Sequence, residues 1–243
     1  MKLKCLGSGS SGNCYLLISD SGEVLILEAG IPASNVFKEI EYDNIVGLLI
    51  SHQHGDHAGR VRDFLGKSIN TYMSKECFEN LKIKKKSTLN FFEDQKQFEV
   101  GPYKILPFKL EHDAPCYGFL ITTLGHGNLL FCTDTHSISY KFKNIETLMV
   151  EADFDYSILM DNINSGVINR TLGKRIMETH LSIDTAISVA KRYKNTLLGN
   201  IILLHLSKNN SNSDMFKKLM EEATGCPTYI ATKGLEVKLG LPF

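Results

Sequence analysis

The chain has no excess charge of either sign: 27 Lys and Arg stand against 27 Asp and Glu, with eight His beside them. Coating nucleic acid by bulk charge is therefore excluded, and any recognition of a polyanion has to come from a local basic face. No apolar run approaches the roughly 20 residues of a bilayer span. The opening MKLKCLGSGSSGN breaks into glycine and serine before a signal-peptide core could form. These absences predict a soluble, cytoplasmic protein without a membrane partner. The six cysteines, Cys5, Cys14, Cys77, Cys116, Cys132 and Cys226, include no CxxC pair. That fits buried thiols in a reducing compartment better than a disulfide scaffold. Repeats, low-complexity tracts and Pro/Gly/Ser linkers are also missing, so a single domain is expected over residues 1–243. At 243 residues and 43% hydrophobic, the chain can bury a full core, and disorder is excluded as a description of the whole.

Short β-type runs at 14–19 and 24–27 flank the turn Asp20-Ser21-Gly22 and predict a hairpin, with residues 7–13 as a loop before it. A helical segment is expected over 32–39, where Pro32 suits a first turn. The apolar run 46–50 then reads as a buried strand. Further strands are expected at 69–73, 98–100, 103–109, 117–123, 128–132, 148–151 and 200–204, with terminal strands after the last helix. Helices are expected at 74–81, 182–193 and 214–223, and a poorly patterned helical stretch follows residue 151. Ser182 caps the clearest helix, and Ile183, Ile187 and Ala190 line one of its faces. Strands first and βα pairs later suggest two sheets covered by helices.

The buried strand at 46–50 ends in His52-x-His54-x-Asp56-His57. Imidazole nitrogen and carboxylate oxygen suit Zn²⁺, Mn²⁺ or Fe²⁺, and a cluster without cysteine argues against a closed structural zinc site. Alternate residues of an extended segment point the same way, so His52 and His54 can share one ion while Asp56 and His57 face the neighbouring space. More ligands stand where other strands stop: His112, Asp134 and His205. His126, in the turn Gly125-His126-Gly127, reads as a surface residue; His136 is open between the two readings.

These residues resemble the metallo-β-lactamase fold superfamily, whose HxHxDH signature is matched by His52, His54, Asp56 and His57, with His112, Asp134 and His205 following in the expected order. The stretches 6–13 (LGSGSSGN), His112-Asp113-Ala114, Thr133-Asp134-Thr135 and 205–210 (HLSKNN) look like its YycJ-like branch, related to tRNase Z and to nucleic-acid exonucleases. The resemblance implies an α/β fold, a four-layer αββα sandwich with two metal ions at one edge of the paired sheets. It implies that His52, His54 and His112 hold the first ion and Asp56, His57 and His205 the second, with Asp134 bridging. It also implies a hydroxide between the ions as nucleophile. A bound cation lowers the pKa of water from about 15.7 to about 7, which agrees with that role. Asp56 is also placed to orient the nucleophile or take its proton. His180, in Glu178-Thr179-His180-Leu181-Ser182, resembles the extra histidine that phosphodiesterase members set over the scissile phosphate. Its place just before a helix start favours an anion.

Two positions depart from the pattern. Glu28 stands where the superfamily usually has Asp after its early strand, which could shift the support of the metal loop. Phe154 replaces a histidine that the related branch often carries. The glycine-rich stretch 7–12 lacks the Gly-Lys-Ser/Thr ending and following helix of a phosphate-binding loop, and reads as a tight turn at the edge of the site. The run Lys82-Ile83-Lys84-Lys85-Lys86 can meet phosphates or simply be a solvated loop. The leading expectation is a two-metal phosphodiesterase or nuclease with Zn or Mn, Fe being possible, acting on nucleic acid, DNA favoured. The alternatives are a small-molecule hydrolase of a cyclic phosphodiester, lactone or thioester, and a degenerate metal- or nucleic-acid-binding protein without turnover, which Glu28 and Phe154 motivate.

Overall fold

The computed structural model describes residues 1–193 and 197–240. The chain begins with β1 (Lys2–Gly7), β2 (Cys14–Ile18), β3 (Val24–Leu27), the single turn α1 (Ala33–Val36), β4 (Ile45–Leu49), the short helices α2 (Gly55–Ala58) and α3 (Val61–Leu65), β5 (Thr71–Met73), α4 (Lys75–Leu81) and β6 (Leu89–Phe91). It continues through β7 (Phe98–Val100), β8 (Tyr103–Leu110), β9 (Cys116–Thr122), β10 (Asn128–Cys132) and β11 (Ile145–Glu151). Then come α5 (Tyr156–Asn164), α6 (Arg170–Thr179), α7 (Ile183–Lys191), β12 (Asn200–Leu204), α8 (Ser213–Thr224), β13 (Thr228–Ile230) and β14 (Glu236–Lys238).

Two seven-stranded sheets result, ordered β14-β1-β2-β3-β4-β5-β6 and β13-β12-β11-β10-β9-β8-β7. Both follow one plan. Four strands pair antiparallel, β14 to β3 in the first sheet and β7 to β10 in the second. The chain then adds parallel strands by crossovers, β3 to β6 and β10 to β13.

Side-chain alternation explains the layering. Tyr15, Leu17, Leu25 and Leu49 from one sheet and Phe119, Phe131, Met149 and Ile202 from the other share the central core. Their neighbours point outward: Cys14, Leu16 and Leu48 join Val36, Phe64 and Cys77 outside the first sheet, while Leu148, Val150 and Leu203 join Ile183, Ala186, Val189 and Phe216 outside the second. The order of layers is helix, sheet, sheet, helix, the expected αββα sandwich. Five of the six cysteines are buried as single thiols, and Cys226 is partly exposed. No described helix is long and apolar enough to cross a membrane.

Several elements differ from expectation. The helical segment expected at 32–39 closes after Ala33–Val36, because Phe37 and Ile40 fold back onto the layer outside the first sheet. Asp56 and His57 lie in the helical turn α2, with His54 as its N-cap, where only a loop was expected. β1 and β6 were not expected. The Ser182 cap forms as expected: its Oγ accepts the Thr185 N–H at 3.2 Å.

Candidate metal centre

Parallel strands in an open sheet deliver their succeeding residues to one end, the place where α/β folds gather ligands. Glu28 follows β3, His52 follows β4, Asp134 follows β10, Glu151 ends β11 and His205 follows β12. His112 arrives from the long hairpin strand β8. The two sheets therefore meet at one edge with His52, His54, Asp56 and His57 from the first and His112, Asp134, Glu151 and His205 from the second.

Three groups of side chains place one ligand atom each within 4.8 Å of one another: His52, His54, His112 and Asp134; Asp56, His57, Asp134 and His205; and Asp134, Glu151, His180 and His205. Asp134 belongs to all three. Its Oδ2 lies 3.9 Å from Nε2 of both His52 and His112, and its Oδ1 lies 3.1 Å from His57 Nε2 and 3.9 Å from His205 Nε2. All seven residues expected as ligands are brought together. His126 is not: its Nε2 pairs with Asp20 Oδ2 at 2.7 Å on a different part of the surface. His136 is exposed and donates from Nδ1 to the Met177 carbonyl at 3.1 Å.

The far nitrogens of His52 and His112 are hydrogen-bonded, and those of His54, His57 and His205 face carboxylates at 3.5 to 3.6 Å without a formed hydrogen bond at His57 or His205. His112 donates from Nδ1 to the Thr179 carbonyl at 2.9 Å, and His52 Nδ1 lies 2.9 Å from Ser51 Oγ. Nδ1 of His57 faces Glu28 Oε1 at 3.6 Å, Nδ1 of His205 faces Asp153 Oδ1 at 3.5 Å, and Nε2 of His54 faces Asp113 Oδ1 at 3.5 Å. Asp113 is in turn gripped by Arg175 of α6, whose Nε and Nη2 lie 2.8 and 2.7 Å from Oδ2. His52 Nε2 is left buried without a hydrogen-bond partner, and His54 Nδ1 sits 3.2 Å from His112 Nε2. An orphaned buried nitrogen beside a second imidazole and a carboxylate is the condition a cation relieves. The residues present fit divalent ions.

Charge follows the same pattern. Burial works against the Asp134 carboxylate, yet His205 and His57 hold it well below the usual range. Burial likewise opposes charge on His57 and His205, but Asp134 leads the carboxylates that raise both well above an ordinary imidazole.

His180 is the C-cap of α6, and its ring is aimed into the cluster. Its Nδ1 lies 2.5 Å from Glu151 Oε1. Burial pulls against its charge, but the Glu151 carboxylate pushes its pKa up to about 9. Fully buried Glu151 also accepts the N–H groups of Thr135 and Leu181 at 2.9 and 3.1 Å. Neither Glu151 nor Asp153 was among the residues expected in the site; the available signal was an acidic residue closing an apolar strand, as Asp134 does two residues after β10.

The two departures have structural readings. Glu28 is wholly buried in the left-handed region, at φ 68°, and its longer side chain spans from the Ser51 N–H at 3.4 Å to His57. Phe154 packs with Leu159 and Ile168 beneath α5, and the ligand groups are complete without it. Gly30 is required by close approach, since a Cβ there would stand 1.9 Å from the Asp56 carbonyl.

Residues 30–205 match the family described as the beta-lactamase superfamily domain, and the chain belongs to that superfamily, in its metallo-β-lactamase fold form. Among solved structures, YhfI from Bacillus subtilis, a metallo-β-lactamase fold protein, is similar with a TM-score of 0.75 at 20% identity, over 97% of this chain and 98% of its own. A diphosphatase of the PhnP family has a TM-score of 0.69 at 15% identity, over 99% of both chains. The short form of human tRNase Z has a TM-score of 0.65 at 14% identity, over 100% of both. No curated protein matches.

Proposed function

We propose that the protein is a metal-dependent phosphodiesterase acting on nucleic acid, with DNA as the favoured polymer. His52, His54 and His112 would hold one divalent ion, Zn or Mn by donor type, and Asp56, His57 and His205 a second, with Asp134 shared. Ions held there would supply a Lewis acid and an activated water. The remaining work belongs to the side chains.

The observation that carries the reading is the His180–Glu151 pair at 2.5 Å. A cationic imidazole at the rim of the ligand groups can donate a proton to a departing alkoxide, and its carboxylate partner keeps the ring turned inward. An ester or lactone also releases an alkoxide when its tetrahedral intermediate collapses, so the donor suits either oxygen ester, whereas a thioester releases a thiolate that needs no such proton. Asp56, with Oδ2 2.9 Å from His205 Nε2, is placed to orient the attacking oxygen or accept its proton. Likeness to a diphosphatase and to a tRNase supports phosphorus as the centre attacked.

The test is hydrolysis of bis-p-nitrophenyl phosphate, single- and double-stranded DNA, and RNA by the chain stripped with EDTA and resupplied with Zn²⁺ or Mn²⁺. Turnover is expected only after resupply, and on the phosphodiesters. Faster cleavage of a thioester or lactone than of any phosphodiester would contradict the proposal, and the DNA and RNA arms decide between the two polymers.

A further inference from the structure

The glycine-rich loop that precedes β2 takes no part in the proposed chemistry, yet two of its side chains reach the ligand cluster from opposite sides. His205 adopts φ 53°, a left-handed conformation unusual for a residue other than glycine, and its N–H donates to Ser8 Oγ at 2.9 Å. Ser8 Oγ lies 2.8 Å from Tyr15 Oη, and Tyr15 Oη donates to Asn13 Oδ1 at 3.1 Å. The single phenolic proton is thereby used, so Ser8 must be the donor to Tyr15. Asn13 Oδ1 also accepts the Gly9 N–H at 2.8 Å, which fixes the amide and turns Nδ2 toward the cluster. Nδ2 lies 3.4 Å from Asp56 Oδ2 and 3.0 Å from His57 Nε2.

These bonds form a chain with one direction: His205 N–H to Ser8, Ser8 to Tyr15, Tyr15 to Asn13, and Asn13 Nδ2 to the carbonyl and carboxylate of Asp56 at 3.2 and 3.4 Å, with the amide packed against the His57 ring. It starts at a ligand candidate on the second sheet and ends at one on the first. Tyr15 and Asn13 are fully buried and Ser8 is partly exposed, and bonds in such a chain reinforce one another. The first half of the cluster, His52, His54 and His112, has no member in this chain.

We propose that Ser8, Tyr15 and Asn13 are positioning residues that clamp Asp56, His57 and His205 together across the two sheets, and so set the affinity of that half of the centre for its cation. The proposal rests on the metal reading of the site and is independent of the substrate. Tyr15→Phe is the sharpest probe, since it removes one hydroxyl and keeps the ring that meets Phe131 edge-on at 5.9 Å.

The experiment titrates the metal-free full chain with Zn²⁺ against a chromophoric chelator, resolving two binding equilibria, for the parent, Tyr15→Phe, Ser8→Ala and Asn13→Ala. Residues that orient ligands typically contribute roughly 10- to 100-fold in affinity. Tyr15→Phe is expected to weaken one equilibrium on that scale and leave the other within about twofold. Ser8→Ala and Asn13→Ala should weaken the same one, and adding either to Tyr15→Phe should cost little more. Two unchanged equilibria in Tyr15→Phe and Ser8→Ala would overturn the proposal. Equal weakening of both would overturn it as well, by making the effect a general loss of fold. A parent that binds fewer than two cations refutes the metal reading beneath it, and is seen before any variant is compared.

Discussion

The proposed reaction gives His180 and Asp134 different work at the scale of single side chains. Asp134 is common to every ligand group, whereas His180 spends its Nδ1 on Glu151 and would turn its other nitrogen to substrate. His180→Ala should therefore lower phosphodiester turnover by roughly 10²- to 10⁴-fold, the usual contribution of a general acid, with metal content kept. Glu151→Gln should move turnover in the same direction by removing the carboxylate that holds the ring charged. Elemental analysis beside kinetics checks both, and loss of metal in His180→Ala would make it a ligand instead. Seven ligand candidates were visible in the sequence because they are rare residue types at strand ends. His180 was placed by the start of the Ser182 helix, whereas its ring turns back to Glu151, a contact across 29 residues that only the folded chain creates.

Among the elements, the segment between α4 and β6 is the strongest local basic feature in a chain of zero formal charge. Arg62, Lys82, Lys84 and Lys86 border a cavity of about 410 Å³ with Leu65 and Ile83, and Lys85 Nζ lies 5.6 Å from the centre of the Phe91 ring. Each duplex-DNA phosphate that a protein neutralises adds about 0.9 to the steepness with which log affinity falls against log salt. The double variant Lys84→Glu, Lys86→Glu is thus expected to weaken DNA binding and flatten its salt dependence, while hydrolysis of bis-p-nitrophenyl phosphate stays at the parent rate. Unchanged DNA binding at low salt would reduce the run to a solvated loop. Strands with continuous apolar runs, such as β12, were legible from sequence. β1 was not: its Lys-Leu-Lys-Cys alternation is only four residues long and its register is set by pairing with β2 and β14. The helical turn α2 was also hidden, since a single turn makes no period.

Across the whole molecule, the two sheets share one strand plan and each contributes part of the candidate centre, although no repeat is visible in the sequence. The order of elements suggested two sheets covered by helices, and the four-layer αββα sandwich was expected from the resemblance carried by the HxHxDH stretch and its later partners. The joining of the sheets at the ligand edge was implied by the same resemblance, whereas its particular pairs, such as His57 with Asp134 at 3.1 Å, exist only in the folded chain. Ions bound there would tie one sheet to the other, and ligand at 100 times its Kd stabilises a fold by about 2.7 kcal/mol. The central claim is a centre for two cations joined by Asp134, and the most direct measurement is elemental analysis of the reconstituted full chain beside Asp134→Ala and His126→Ala. Two divalent ions per chain are predicted for the parent and for His126→Ala, with both ions reduced in Asp134→Ala. One ion or none in the parent, or equal losses in the two variants, would contradict the account.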